Sequence, residues 1–196
     1  MIQRSTHLLR RLMLTCVLAL LALLIAPYSH AIEAEVTSAR LESSEEGYRL
    51  AASFAFELSH GLVEAISQRE IPVSFTTEVE LTRPRWYWFD EKTIRSVQTV
   101  RIGYNTWTRN YTATINNGLQ QNFPTLEEAL ALVLRPRRWV VAEKNALSNG
   151  GVYNVAVRLR LDLNYLPKTF LITSLNNSDW RLSSDWKRFT FKADDK

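Results

Sequence analysis

The chain has 196 residues, a formal net charge of +4 and a single cysteine, Cys16. Its first 31 residues carry three arginines, no lysine and no acidic residue, so the remaining chain has a formal net charge of only +1. A nearly neutral chain argues against a nucleic acid partner. Because no cysteine follows residue 31, the composition also excludes a disulfide-stabilised scaffold for the remaining chain.

The N-terminal 31 residues have the composition of a secretory signal peptide. Arg4, Arg10 and Arg11 precede an apolar run over residues 12–25, and small residues at Ser29 and Ala31 follow. The run is shorter than the roughly 20 residues that a membrane span needs. We therefore predict export to the periplasm with cleavage after Ala31. The alternative is that the uncleaved leader anchors the protein in the inner membrane, which would be its only membrane contact.

Residues 32–192 are predicted to form a single domain, and residues 193–196 are predicted to fray. Apolar residues alternate with polar ones over residues 48–58, 73–81 and 153–163, which is typical of half-buried strands. Shorter strands are expected at 33–41, 93–104, 106–115, 139–142 and 170–175, around Trp180 and Leu182, and around Phe189 and Phe191. The apolar parity of the 33–41 segment shifts between Val36 and Ala39, which predicts a β-bulge.

Turn and cap residues separate these strands. Glu45-Glu46-Gly47 and Asn116-Asn117-Gly118 predict tight turns. Ser59 and Thr125 are candidate N-caps for two short helices. We therefore predict an all-β fold, an antiparallel β-sandwich of immunoglobulin-like or similar type with two short helices. A small open β-barrel is the alternative.

An aromatic tract is the most distinctive feature of the sequence. It reads Arg83-Pro84-Arg85-Trp86-Tyr87-Trp88-Phe89-Asp90. Arginine, tryptophan and tyrosine are common anchors of protein interfaces. The candidate binding residues are Arg83, Arg85, Trp86, Tyr87, Trp88, Asp90, Trp107 and Arg109. Because neighbours on an extended chain face opposite sides, the other interpretation is that half of these rings fill the core.

Catalytic and metal-binding patterns are sparse. His60 is the only histidine after residue 31, and no cysteine accompanies it. Zinc, haem and copper sites would lack their usual ligands, so we predict no metal and no cofactor. Neither a Gly-x-Ser-x-Gly elbow nor a glycine-rich phosphate loop occurs. We therefore predict no catalytic residues and no enzymatic activity. The alternative is an enzyme that uses a Ser-Lys dyad or two carboxylates, because such residues need not be neighbours in sequence.

Six tracts resemble an uncharacterised family of exported proteobacterial proteins that is classed as a domain of unknown function. They are Leu81-Thr82-Arg83-Pro84-Arg85-Trp86-Tyr87-Trp88-Phe89-Asp90, Leu119-Gln120-Gln121, Leu126-Glu127-Glu128-Ala129-Leu130, Arg158-Leu159-Arg160-Leu161-Asp162, Leu166-Pro167-Lys168 and Ser183-Ser184-Asp185-Trp186. Thr169 stands where the family has a second proline. The resemblance implies a periplasmic domain encoded beside a sensor kinase of the nitrogen-regulation type, and it carries over no functional residues.

The sequence therefore leads to two functional hypotheses. The first is a non-enzymatic periplasmic adaptor that binds a periplasmic or membrane protein, a membrane sensor kinase being one candidate. The second is a module that binds a glycan or the cell wall, since the same aromatic side chains can stack on sugar rings.

Overall fold

The computed structural model describes residues 32–84, 91–175 and 177–193. The predicted signal peptide therefore lies outside the described residues. So do residues 85–90 of the aromatic tract and residues 194–196 of the segment 193–196 that was predicted to fray. Ala193 of that segment is buried, and its N–H donates to the carbonyl oxygen of Gly151 at 2.9 Å. Within the described part no helix is long and apolar enough to cross a membrane.

Strands dominate the described part of the chain. They are β1 (Ile32–Ser43), β2 (Gly47–Ala55), β3 (Val73–Arg83), β4 (Glu91–Asn105), β5 (Asn110–Ile115), β6 (Gln120–Phe123), β7 (Trp139–Glu143), β8 (Val152–Asp162), β9 (Leu182–Ser184) and β10 (Lys187–Lys192). The α-helices are α1 (His60–Ser67), α2 (Leu126–Leu134) and α3 (Lys168–Leu175). One-turn 3-10 helices cover Leu163–Tyr165 and Ser178–Trp180.

The strands form one strongly curled sheet, an open half-barrel. Nine strands follow the order β6-β5-β4-β3-β8-β9-β1-β2-β7, and β10 pairs with β8 outside this path. The curl lets α2 contact both β5 and β2, which lie near opposite ends of this order. This architecture is consistent with the predicted alternative, an open barrel, and the sandwich is not confirmed.

A short parallel pairing joins the two halves of the sheet. Ile32–Ala34 at the start of β1 pairs with Leu182–Ser184 of β9. From Glu35 onward β1 pairs with β2 instead. Alternating hydrophobicity shows which face of a strand is buried but not which edge joins which strand. The pattern therefore could not distinguish two packed sheets from one curled sheet.

The core lies on the apolar face of this sheet. Phe75, Val79 and Leu81 of β3 are almost completely buried, as are Val157 and Leu159 of β8. The helices pack apolar side chains on the same cluster: Leu62 and Ile66 from α1, and Ala129 and Val133 from α2. Burial of this continuous cluster supplies the main driving force for folding.

Several local predictions are confirmed. The register of β1 shifts between Val36 and Ser38, where the bulge was predicted. The Ser59 Oγ accepts a hydrogen bond from the backbone N–H of Leu62 at 3.1 Å, so Ser59 caps α1. The Thr125 Oγ1 accepts one from the N–H of Glu128 at 3.2 Å and caps α2 in the same way.

Some local predictions differ from the structure. Residues 170–175 belong to α3 rather than to a strand. Pro167 lies just before this helix, and its carbonyl oxygen accepts a hydrogen bond from the N–H of Leu171 at 3.1 Å. Proline suits the start of a helix, and this start outweighs the β propensity of the residues that follow. The short strand β6 was not predicted, because its polar residues show no alternation.

Candidate functional site

The polar face of β3 is buried, although its alternation predicts a solvent-facing surface. Ser74, Thr76 and Glu78 are each only 1% exposed. β3 lies between β4 and β8, so long side chains from both neighbours cover this face. A buried carboxylate needs charged or hydrogen-bonding partners to offset its lost hydration.

The partners of Glu78 are arginines from the neighbouring strands. Its Oε2 accepts hydrogen bonds from Arg158 Nη2 at 2.9 Å and from Arg158 Nε at 3.1 Å. Its Oε1 accepts one from Arg160 Nε at 2.9 Å. Arg95 Nη2 of β4 is 3.4 Å from Oε2. The strand register explains this meeting, because Glu78 pairs with Arg158 and Thr76 pairs with Arg160.

A second carboxylate extends the network. Arg160 Nη2 lies 3.5 Å from Oδ2 of Asp162, and the Thr76 hydroxyl donates to the same oxygen at 3.4 Å. The other oxygen of Asp162 accepts from the backbone and side-chain N–H groups of Asn164 at 3.1 and 2.9 Å. Glu78, Arg95, Arg158, Arg160 and Asp162 together form the arginine cluster.

The pKa values of the cluster reflect these contacts. Burial by itself would raise the pKa of Glu78, but the hydrogen bonds and positive charges of Arg160 and Arg158 outweigh burial and lower it below its usual value. Burial would likewise lower the pKa of Arg160, and its contacts with Glu78 and Asp162 raise it instead. Both residues are therefore charged at neutral pH.

The cluster also reaches solvent. The side chains of Arg158 and Arg160 are 31% exposed and that of Arg95 is 51% exposed. The Arg158 guanidinium lies 4.4 Å from the ring centroid of Trp186, a cation–π contact that holds it in place. Three arginines meet three carboxylates here, because Arg95 also lies 3.8 Å from Glu80, so their formal charges balance. It can bind a further carboxylate through N–H groups that Glu78 does not use.

A cleft of about 540 Å³ adjoins the cluster on the same face. In the strand register Ala156 of β8 lies between Glu80 of β3 and Arg188 of β10. A methyl group between two long side chains leaves a depression, which is the cleft. Its polar lining consists of Glu80, Thr82, Asn154, Arg188 and Thr190.

A family model described as a domain of unknown function (DUF4390) matches residues 31–190 of this chain. The chain belongs to this family. Neither a curated protein nor a solved structure matches it. The resemblance seen in the sequence is thus confirmed at the level of this domain, whereas export and the link to a sensor kinase stay predictions.

The structure of this DUF4390 chain separates the candidate residues taken from the sequence. Arg83 is exposed at the end of β3. In the strand register it lies opposite Glu91, the first residue of β4. Trp107, which is 95% exposed, and Arg109 lie in the turn after the last residue of β4. A strand of this length spans roughly 45 Å.

Trp107 and Arg109 therefore do not share a surface with Arg83. Arg85, Trp86, Tyr87, Trp88 and Asp90 lie outside the described residues, and their role stays a prediction. In sequence, they connect β3 to β4.

No group of three His, Cys, Asp or Glu side chains that could hold a metal ion occurs among the described residues. His60 is exposed at the first turn of α1.

The residues of the arginine cluster were not selected from the sequence. The alternation over residues 73–81 and 153–163 indicates half-buried strands, and the polar faces that carry Glu78 and Arg158, Arg160 and Asp162 would then be solvated. A useful signal was present, because two alternating strands carry charges of opposite sign on their polar faces. Which strands are neighbours, and in which register, is not encoded in that alternation.

Proposed function

We propose that this protein is a non-enzymatic binding module that docks a carboxylate-bearing segment of another protein on the arginine cluster and its cleft. We place it in the periplasm, as the leader predicts, and its partner among periplasmic or membrane proteins. A sensor kinase of the nitrogen-regulation type is one such partner.

One observation carries the proposal: a buried carboxylate holds arginines at a partly exposed surface. Glu78 fixes Arg158 and Arg160 through hydrogen bonds of 2.9 Å, and Trp186 stacks on Arg158. Arginines that are already ordered lose less conformational entropy when a partner binds. Arginine and tryptophan are also the residues that most often dominate binding energy at protein interfaces.

The cleft supports the same conclusion. Arg188 lines it and is exposed, and within the described part of the chain no carboxylate forms an ion pair with it. Thr82, Asn154 and Thr190 add hydroxyl and amide groups. A cleft of about 540 Å³ is within the range of small-ligand sites, roughly 300–1,000 Å³. It can therefore accept an acidic side chain together with its neighbours.

The test is a binding titration with a fluorescent glutamate-rich peptide. The wild-type protein should bind with an affinity that falls as salt rises. Arg188→Gln combined with Arg95→Gln should weaken binding at least tenfold, about 1.4 kcal/mol, because two partly or fully exposed cations are lost. Arg40→Gln is the matched control: Arg40 is exposed on β1 and contacts Glu42 instead of the cluster.

Equal dissociation constants for the wild type, the double variant and the control would contradict the proposal. Circular dichroism of each variant establishes that the fold is retained. The side chain of Arg95 is 51% exposed, and Arg188 is exposed on β10. The double variant is therefore expected to fold.

Exposure of Trp107 favours a second candidate function, glycan binding. A tryptophan that is 95% exposed at a turn offers a ring face for stacking on a sugar. If this function holds, sedimentation with peptidoglycan should be lost in Trp107→Ala and unaffected in Arg188→Gln. Cosedimentation that is the same for both variants and the wild type would reject it.

A further inference from the structure

A second, smaller pocket lies on the polar face of the sheet. It has a volume of about 180 Å³ and is lined by Thr99, Arg101, Thr114, Asn116, Asn117 and Tyr165. Arg101 of β4 pairs with Thr114 of β5. The β5–β6 turn closes one side, because the N–H of Thr99 donates to the side-chain oxygen of Asn116 at 2.8 Å. These residues form the anion pocket.

Every side chain that lines the anion pocket can donate a hydrogen bond. The lining combines one guanidinium, two threonine hydroxyls, two amide groups and one phenol, and it contains no carboxylate. The cleft beside the arginine cluster differs in this respect, because Glu80 lines it. A pocket of donors with one fixed positive charge selects for an anion.

Arg101 lacks the acidic partner that other arginines of this face have. Arg95, Arg158 and Arg160 all contact Glu78, whereas no carboxylate in the described part of the chain forms an ion pair with Arg101. Its guanidinium instead lies 5.1 Å from the ring centroid of Tyr165. This cation–π contact orients the guanidinium but leaves its charge without a counter-ion.

A buried hydroxyl next to Arg101 is also unsatisfied. Ser74 of β3 pairs with Arg101 in the strand register and is 1% exposed. Its Oγ has no hydrogen-bond partner among the described residues. Buried polar atoms without partners are rare in proteins, and they call for a specific explanation. Ser74 does not line the anion pocket, but this unsatisfied hydroxyl belongs to the residue opposite Arg101 in the sheet.

We propose that the anion pocket binds one anionic oxygen group, a carboxylate or a phosphate. A volume of 180 Å³ is about six times the roughly 30 Å³ that a water molecule occupies in the liquid, which suits a single such group. It is below the roughly 300 Å³ at which small-ligand sites begin. The pocket thus recognises the charged end of a ligand, and none of its lining residues belongs to the arginine cluster.

The test is a nuclear magnetic resonance titration of the backbone amides of Thr99 and Asn117. Inorganic phosphate and acetate are added in separate series at constant ionic strength, set with chloride. At least one series should give saturating shifts in the wild type, and the series that does so identifies the anion class. Arg101→Gln should weaken that binding at least tenfold. Arg40→Gln, on the exposed surface of β1, should leave it unchanged.

Two further variants keep the test decisive. Arg101→Lys keeps the charge but loses the planar fork, so it should bind more weakly than the wild type and more tightly than Arg101→Gln. Thr114→Val removes one hydrogen-bond donor with little change in side-chain volume and should weaken anion binding severalfold. This variant tests the proposal if Arg101→Gln does not fold. Absence of saturating shifts with both anions, or unchanged affinity in a folded Arg101 or Thr114 variant, would overturn the proposal.

Discussion

Replacement of Glu78 by glutamine tests whether the arginine cluster holds the sheet together. Glu78 accepts four hydrogen bonds from three arginines, and its side chain is 2% exposed. Glutamine keeps one acceptor oxygen, but it turns an NH2 group toward arginine donors and removes the negative charge. Loss of one partner of a buried ion pair costs about 3–5 kcal/mol.

Partial exposure of the arginines reduces this cost. Arg158 and Arg160 are 31% exposed and Arg95 is 51% exposed, so water can solvate them again. We therefore expect the free energy of unfolding to fall by about 3 kcal/mol. For a protein of this size that loss corresponds to a decrease in Tm of about 6–12 °C. Urea and thermal denaturation followed by circular dichroism measure both values.

Glu80→Gln is the matched control for this substitution. Glu80 is two residues away on the same face of β3, but its side chain is 24% exposed and it lies 3.8 Å from Arg95. A pair of this kind contributes less than about 1 kcal/mol. Equal losses of stability for Glu78→Gln and Glu80→Gln would refute the argument that burial of Glu78 makes its ion pairs important.

The contribution of Glu78 should also depend on pH. Its pKa is lower in the folded protein than in the unfolded chain, where a glutamate titrates at about 4.3. The stabilisation is therefore complete above the unfolded value and is lost as the pH falls through the lower folded value. The difference in stability between wild type and Glu78→Gln should be constant near neutral pH and shrink below about pH 4. A difference that does not change with acidification would contradict this linkage.

Three further substitutions have expected outcomes that denaturation experiments can check. Gly47→Ala should lower the free energy of unfolding by about 3 kcal/mol or more, because Gly47 has φ +142° and a Cβ there would overlap the carbonyl oxygen of Ala142. Unchanged stability would mean that the β1–β2 turn can relax. Ser59→Ala should cost about 1–2 kcal/mol by removing the cap on the N–H of Leu62, and an unchanged urea midpoint would argue against the cap. Trp107→Ala should change stability by less than about 0.5 kcal/mol, since the side chain is 95% exposed; a larger loss would indicate a packing role.

Local features of this protein could be predicted from its sequence. Alternation located the long strands β2, β3 and β8, and the parity shift after Val36 located the bulge in β1. Ser59 and Thr125 marked the starts of α1 and α2. Each of these signals depends on residues that are close in sequence, so no tertiary contact was needed to interpret it.

Short segments were less predictable. The turn predicted at Asn116-Asn117-Gly118 is present, and its left-handed residues are Asn116 (φ +47°) and Asn117 (φ +58°). Residues 170–175 have strand-forming side chains but form a helix after Pro167. In segments this short, a few neighbouring contacts outweigh intrinsic propensity.

The sequence by itself thus determined a strand-rich DUF4390 domain with capped helices and a polar face on each long strand. Only the tertiary structure decided that β1 and β9 join the strands into one curled sheet and that Arg158 and Arg160 meet Glu78. The physical reason is that side-chain alternation specifies the face of each strand. Strand neighbours and register depend on contacts between residues far apart in sequence, such as Glu78 and Arg160, which are 82 positions apart.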